Sequence, residues 1–164
     1  MIKVFNVEEN IVEYMTSLLK IFLAKPELVK DIKQSSLSAN CFSTLNLLKI
    51  LHNNNFYNYI DELKTIIELH VDKELDFFYV HMVDYANGGI MNKHSHDHNE
   101  DYSFILYLNT CDDGCTVLSL KNCLKIKPEQ GKMLVFSSNI PHSSEYSNSK
   151  KVLVGGLKVT RNVF

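Results

Sequence analysis

The stretch LDFFYVHMVDY, residues 75–85, decides the fold because the hydrophobic pattern of the chain changes there. Before it, apolar residues recur every three or four positions, as on one face of a helix. From it onward they recur at every second position, and aromatic and β-branched side chains become more frequent, as is typical of strands. The change predicts a helical first half and a strand-rich second half.

The second half is predicted to form seven short strands separated by turns. The turns NGG, TCDDG, KPEQG and SSNIPHSS contain residue types that favour chain reversal. Many short strands after a helical lead-in favour an α+β fold, a jelly roll (double-stranded β-helix) with N-terminal supporting helices. The mouth of such a fold can admit a small ligand. The predicted strands lie near residues 75–85, 92–97, 102–109, 115–120, 123–127, 131–136 and 150–160.

The first half is predicted to support this core. After a short strand, IKVF, the apolar spacing predicts a helix to about Ala24 and two more over Leu45–Leu51 and Ile60–Val71. A chain of 164 residues is long enough for one domain with a real core and too short for two. We therefore expect a single domain, mainly helical over 1–74 and a jelly roll over 75–164.

Composition argues against some partners and locations. Seventeen Lys and Arg against 19 Asp and Glu give a formal charge of -2, so no global positive field favours nucleic acid or an anionic membrane. No apolar run approaches the roughly 20 residues that span a bilayer, and the first residues do not resemble a signal peptide. The four cysteines are few and irregularly spaced, as in proteins of reducing compartments. We expect a cytoplasmic protein.

Three histidines alternate in NKHSHDHNEDYSFILYLNT, residues 92–110. Residues two apart in a strand project to one face, so His94 and His96 can bind one ion while Asp97 points to the other side. His98 shares their parity but lies nearer the expected turn. The pattern predicts a metal site built on His94 and His96.

A third ligand must come from elsewhere in the chain. His142, in SSNIPHSS after the strand KMLVF, is the natural candidate. Imidazole nitrogen suits iron, zinc, copper and nickel alike, so the residue type does not choose the metal. The alternative is a solvated histidine-rich loop that takes up metals without a function.

Four segments together resemble the prolyl 4-hydroxylase-like oxygenases, which depend on iron(II) and 2-oxoglutarate. YANGGIMNKHSH resembles their approach to the metal site, where two glycines precede a strand bearing HxD. YLNTCDDGCTVL is similar to their YLN strand with its glycine turn and threonine, and IKPEQGKMLVFSSNIPH to the segment that ends at the distal histidine. HSSEYSNSKKVLVGGLKV places a lysine nine residues beyond that histidine, where the family keeps a basic residue. The matched positions are Tyr85, Gly88, Gly89, His94, Tyr107, Leu108, Asn109, Gly114, Thr116, Pro128, Gly131, Phe136, His142 and Lys151.

The resemblance implies a dioxygenase that hydroxylates an unactivated C–H bond of a peptidyl or small-molecule substrate. Dioxygen and 2-oxoglutarate would be consumed, and succinate and carbon dioxide released. It implies iron(II) on His94, His96 and His142. It also implies that Lys151 and Tyr107 bind the far carboxylate of 2-oxoglutarate, with Tyr85 a core aromatic or a wall of the active site.

The residues themselves support a role for Lys151. It is expected to open a strand on the same face as Leu153 and Leu157, which would put an ammonium inside an apolar barrel unless an anion meets it. Its neighbour Lys150 is expected to be the solvated one. For Tyr107, a buried hydroxyl needs a polar partner in any case. The alternatives are a core aromatic and a lysine whose charged end reaches water.

The sequence departs from the family at the centre of the site, where His96 replaces the aspartate of HxD. Three neutral imidazoles leave the charge of the ion uncompensated, so metal affinity and redox potential should change. A three-histidine iron is favoured. Otherwise Asp97 or Glu100 joins as a ligand or supports one, or hydroxylase activity has been lost.

Cupins are the second interpretation. Their first motif is matched in spacing by Gly88, His94, His96 and Glu100. Their second motif has a glycine eleven residues before a histidine, as Gly131 stands before His142. Glu100 would then be a fourth ligand in a metal-binding protein or metalloenzyme that does not use 2-oxoglutarate. The cupin pattern leaves YLN and the later lysine unexplained. A noncatalytic protein that binds metal incidentally is the third interpretation.

Overall fold

The computed structural model describes most of the 164-residue chain. Asp97 and His98, two of the less favoured metal ligands, lie outside the described residues, as does most of the helix predicted over Leu45–Leu51. Of the described residues in that segment, 45–47 are not helical and Leu48 is. The described residues are 1–25, 27, 29–31, 38–48, 57–86, 88–96 and 99–160.

Two helices of the described chain match predictions. The first, α1 (Glu9–Leu23), ends where its apolar spacing ends, and α2 (Tyr57–Val71) includes the predicted segment and extends it at the N-terminal end. Each is amphipathic and buries one apolar face. Neither has the length and apolar character needed to cross a bilayer, and the described part of the chain offers no other candidate.

The strands follow the predicted order with shifted ends. The strand predicted near 92–97 begins and ends three residues earlier, and a strand that begins within the predicted turn SSNIPHSS and runs beyond it was missed. The first half also contributes short strands that the apolar pattern did not reveal. In chain order the strands are β1 (Ile2–Asn6), β2 (Val29–Asp31), β3 (Ser38–Ala39), β4 (Phe42–Thr44), β5 (Leu75–Asp84), β6 (Gly89–His94), β7 (Tyr102–Tyr107), β8 (Thr116–Leu118), β9 (Leu124–Ile126), β10 (Lys132–Ser137), β11 (His142–Ser147) and β12 (Lys151–Val159).

These strands form two antiparallel sheets. One has the order β1-β10-β7-β12-β5-β4-β2 and the other β3-β6-β11-β8-β9. Many neighbours, such as β1 and β10 or β12 and β5, are far apart in the chain, as in a jelly roll, where connections cross from one sheet to the other. The predicted α+β jelly roll with supporting helices is confirmed.

The central strands of the larger sheet, β7, β10 and β12, are largely buried on both faces. One face packs against the helices, where Leu106 and Leu153 join the core cluster that contains the apolar residues of α1 and α2. The other faces the smaller sheet, where Tyr107, Phe136 and Val152 form a second cluster. Strands buried on both faces are apolar throughout, so their sequence does not tell which face is the inside of the barrel.

Replacing Gly155 by alanine is expected to destabilise this sheet. A Cβ there would lie 2.4 Å from a ring carbon of Phe104 and 2.5 Å from the backbone oxygen of Tyr79, which cannot move without shifting β5. Overpacking of this kind costs about 1–3 kcal/mol of unfolding free energy. Equilibrium urea unfolding measures it, with Lys158→Ala on the exposed end of β12 as the control, expected to stay within about 0.5 kcal/mol of the wild type. Equal stability of the two variants would contradict the packing described.

Candidate metal centre and adjoining cavity

Strand pairing brings the predicted histidine ligands together. His94 ends β6 and His142 begins β11, and the two residues face each other directly in the antiparallel register. His96 lies beyond the end of β6, so strand parity does not place it. Its backbone N–H donates to the oxygen of Ser138, at 2.9 Å, which fixes it beside the loop that precedes β11.

The three imidazoles form a compact cluster. One nitrogen of each ring lies within 4.8 Å of the others, a spacing at which a single ion could contact all three. The ring centroids are 4.3 Å apart for His94 and His142, 4.9 Å for His94 and His96, and 5.3 Å for His96 and His142.

Hydrogen bonds orient two of these rings as ligands. The Nδ1–H of His94 donates to the backbone oxygen of Asn92 at 2.8 Å, and that of His142 to the oxygen of Ile140 at 3.0 Å. This tautomer leaves Nε2 with its lone pair, the form that binds metal.

His142 is also held in the neutral form that a ligand requires. Burial lowers its pKa to about 4, although the hydrogen bond to Ile140 raises it; the other two histidines lower it further. A set of three neutral nitrogen donors fits a divalent transition metal such as iron, nickel or zinc.

Glu100 lies beside this cluster and is not one of its members. One carboxylate oxygen, Oε1, accepts hydrogen bonds from the hydroxyls of Ser103 at 2.7 Å and Tyr79 at 3.2 Å, and lies 3.9 Å from Nδ1 of His96. Burial raises the pKa of Glu100, and the bonds from Ser103 and Tyr79 lower it. The described residues do not form the four-ligand set of the cupin interpretation, because the carboxylate faces the ring of His96 and lies outside the cluster.

A cavity of about 320 Å³ adjoins the three histidines. Its wall is mostly apolar and aromatic, with a few polar groups that converge on it, as is usual in sites for small ligands. Five strands of the larger sheet and three of the smaller contribute to it. The polar wall residues farther along the barrel include Tyr85, Thr116, Ser144 and Lys150.

Lys150 is the buried cation of this cavity. It is 2% exposed, and its Nζ donates to the backbone oxygen of Gly114 at 2.7 Å and to Oγ of Ser144. The ammonium also lies 4.2 Å from the ring centroid of Tyr85. Burial lowers the pKa of Lys150 to about 8. These hydrogen-bond acceptors are neutral, so the site offers a positive charge to an anion.

The predicted orientation of the two lysines is therefore wrong. Lys151 does share a strand face with Leu153 and Leu157, but that face packs on the helices. Its Nζ is partly exposed, 3.3 Å from the oxygen of Ser149 and 3.8 Å from Asp84, away from the cavity. Since both faces of β12 are apolar, the apolar pattern could not choose between Lys150 and Lys151.

The two predicted tyrosines occupy different positions. Tyr85 lines the cavity beneath Lys150. Tyr107 is fully buried behind the cavity wall. Its hydroxyl donates to Oγ1 of Thr116 at 2.6 Å, so it already has a polar partner and does not need a ligand to supply one. Thr116 itself lines the cavity, and its contact with Tyr107 was not foreseen from the family resemblance.

No family model and no curated protein matches the chain, but solved structures do. A prolyl-4-hydroxylase of Pseudomonas putida is 16% identical, with a TM-score of 0.74 over 98% of this chain and 93% of that one. A viral collagen prolyl hydroxylase from Paramecium Bursaria Chlorella virus-1, in complex with 2-oxoglutarate, is 13% identical, with a TM-score of 0.67 over 97% and 96%. The non-heme α-ketoglutarate-dependent epimerase SnoN of nogalamycin biosynthesis is 8% identical, with a TM-score of 0.76 over 96% and 76%. The chain therefore has the double-stranded β-helix fold of the 2-oxoglutarate-dependent iron(II) oxygenases.

Proposed function

We propose that the protein is an iron(II)- and 2-oxoglutarate-dependent dioxygenase that hydroxylates an unactivated C–H bond of a peptidyl or small-molecule substrate. The observation that carries the proposal is the presence, on one cavity of this fold, of a three-imidazole cluster and a buried lysine. The first suits a divalent metal and the second an anion. Metal and anion sites on one apolar cavity are what a metal and a dicarboxylate cosubstrate require.

His94, His96 and His142 would hold the iron. The cluster spans less than 4.8 Å and two of its rings already present the nitrogen that a metal needs. Iron(II) bound there with 2-oxoglutarate and dioxygen would supply hydroxylation, with succinate and carbon dioxide as the other products. The protein's part is to supply ligands, orient the cosubstrate and exclude water.

Lys150 would bind the far carboxylate of 2-oxoglutarate, in place of Lys151. A buried ammonium is costly unless it is paired, and its hydrogen-bond acceptors in the cavity are neutral. The hydroxyl of Thr116 lines the same end and could donate to a carboxylate, and the ring of Tyr85 and the side chain of Ser144 could enclose it. Tyr107 would act from behind, by orienting the hydroxyl of Thr116.

The substrate class stays broad in this proposal. The similar structures include prolyl hydroxylases and an epimerase, so the fold does not choose the substrate or the outcome of the oxidation. A cytoplasmic location is also part of the proposal, supported by four cysteines with no regular spacing.

Anaerobic titration of the apoprotein with iron(II) and then 2-oxoglutarate tests the function. We expect a weak visible charge-transfer band that appears only when both are present, because 2-oxoglutarate must chelate the bound metal to give it. Succinate should then form slowly on admission of air. Metal binding without the band would contradict the proposal and favour a metalloprotein that does not use 2-oxoglutarate.

A further inference from the structure

The carboxylate of Glu100 is buried beside the three-histidine cluster. Its side chain is 1% exposed and its Oε1 lies 3.9 Å from Nδ1 of His96. The other oxygen, Oε2, is buried and has no hydrogen-bond partner within the described part of the chain. A buried carboxylate that is only half satisfied is costly, which calls for a compensating charge nearby.

The surroundings hold this carboxylate in a fixed place. Ser103 and Tyr79 both donate to Oε1. On the other side β12 has a glycine, Gly156, and a Cβ at that position would lie 2.0 Å from Oε2. Glu100 therefore occupies a space that the absence of a side chain on β12 creates, between two hydroxyl donors and the ring of His96.

The three histidines differ in what their Nδ1 atoms face. His94 and His142 each donate to a neutral backbone oxygen. Nδ1 of His96 faces a carboxylate. In metal sites a carboxylate next to the far nitrogen of a ligating imidazole fixes the ring and raises its basicity.

We propose that Glu100 is a positioning residue of the metal centre, acting through His96. With the metal on Nε2, the Nδ1–H of His96 points to the carboxylate, which orients the ring and places a negative charge beside the ligand. The charge of a carboxylate bound to the metal is thereby replaced by one held a single imidazole away. This inference rests on the proposed metal site and does not depend on 2-oxoglutarate.

Titration of the apoprotein with cobalt(II), followed by its visible absorption, tests the inference. We expect Glu100→Gln to raise the Kd for cobalt about ten- to hundredfold, the usual effect of removing such a supporting carboxylate. The band intensities should stay those of the wild type, since the number of ligands is unchanged. Glu129→Gln, which removes an exposed carboxylate paired with Lys132, is the matched control and should leave the Kd within about twofold.

A thermodynamic cycle separates positioning from a general structural effect. If Glu100 acts through His96, then Glu100→Gln should have no further effect on cobalt affinity in a His96→Ala background. An equal loss in both backgrounds would overturn the inference. A change of the cobalt band intensity in the Glu100→Gln single variant would also overturn the inference, because it would show that Glu100 binds the metal directly.

A second variant keeps the test decisive if Glu100→Gln folds poorly. Ser103→Ala keeps the charge and removes the 2.7 Å hydrogen bond that holds Oε1, so it should weaken cobalt binding severalfold with the fold intact. Unchanged cobalt affinity in both variants would refute the role of Glu100 and leave the dioxygenase proposal standing. Absence of cobalt binding by the wild type would refute both the role of Glu100 and the dioxygenase proposal. Normal cobalt behaviour without the 2-oxoglutarate band would refute only the dioxygenase.

Discussion

Lys150→Met is expected to abolish 2-oxoglutarate binding, whereas Lys151→Met should leave it nearly intact. Lys150 presents a buried ammonium to the cavity, and removal of one partner of a buried charge pair typically costs about 2–5 kcal/mol of binding free energy. That corresponds to a Kd at least roughly 30-fold higher. Lys151 points away from the cavity, toward Ser149 and Asp84. The two variants carry the same substitution at adjacent positions, and contrasting effects on 2-oxoglutarate binding are expected.

The measurement is the charge-transfer band of the iron(II) protein as 2-oxoglutarate is added. Metal affinity should be equal in both variants, which shows that the histidine cluster is intact. A larger loss of 2-oxoglutarate affinity in Lys151→Met than in Lys150→Met would contradict the assignment and restore Lys151 as the carboxylate-binding residue.

Lys150 should also make stability depend on pH. Burial lowers its pKa to about 8 from an ordinary value of 10.5. Between these values the unfolded chain holds the proton and the folded protein does not, so stability rises with pH. The gain in unfolding free energy is complete above pH 10.5 and is lost as the pH falls to about 8. For a pKa shift of this size the change is about 3 kcal/mol.

The difference in urea stability between wild type and Lys150→Met isolates this effect from other groups that titrate at high pH. The wild type should gain on the variant as the pH rises from 8 to 10. A constant difference over that range would mean that the lysine is not buried as a charge. The variant leaves the acceptors on Gly114 and Ser144 without their hydrogen-bond donor. This loss partly offsets the stability gained by removing the buried charge.

His142→Ala should remove tight metal binding. It deletes the buried member of the cluster, whose pKa burial lowers to about 4. Since loss of a residue that only supports a ligand costs about 10- to 100-fold in affinity, loss of the ligand should cost more than about 100-fold. Cobalt(II) or nickel(II) titration of the apoprotein measures it.

His70→Ala is the control for this experiment. His70 lies on α2, where it stacks on Phe5 with ring centroids 3.7 Å apart, and is not part of the metal cluster. Its removal is expected to leave metal affinity unchanged. Equal metal binding by the wild type and His142→Ala would exclude His142 as a ligand and with it the proposed centre.

The fold and the three candidate ligands were largely accessible from the sequence. A period of two from residue 75 onward predicted the jelly roll, and the alternation of His94 and His96 singled them out before any resemblance was considered. His142 emerged as the candidate third ligand and also matched the resemblance. The strand that it begins, β11, was missed because serine, asparagine and proline in SSNIPHSS favour a turn.

The electrostatic details of the site were less accessible because they depend on packing. Periodicity placed Lys150 and Lys151 on opposite faces but could not say which face was inside, since helices cover the outer face of β12. Glu100 was considered mainly as a ligand. Its actual surroundings depend on Gly156, a residue 56 positions later whose missing side chain has no local signature.

The pairing of β1 with β10 has a consequence for how the protein is made. Ile2 pairs with Phe136, so most of the barrel is synthesised between β1 and its only strand neighbour in the described sheet, β10. At 5–20 residues per second this delay is on the order of 10 s. During it an apolar edge segment, IKVF, is exposed and able to pair with other nascent chains. The yield of soluble protein should therefore depend on translation speed and on chaperones that cover the N-terminal segment until β10 has been synthesised.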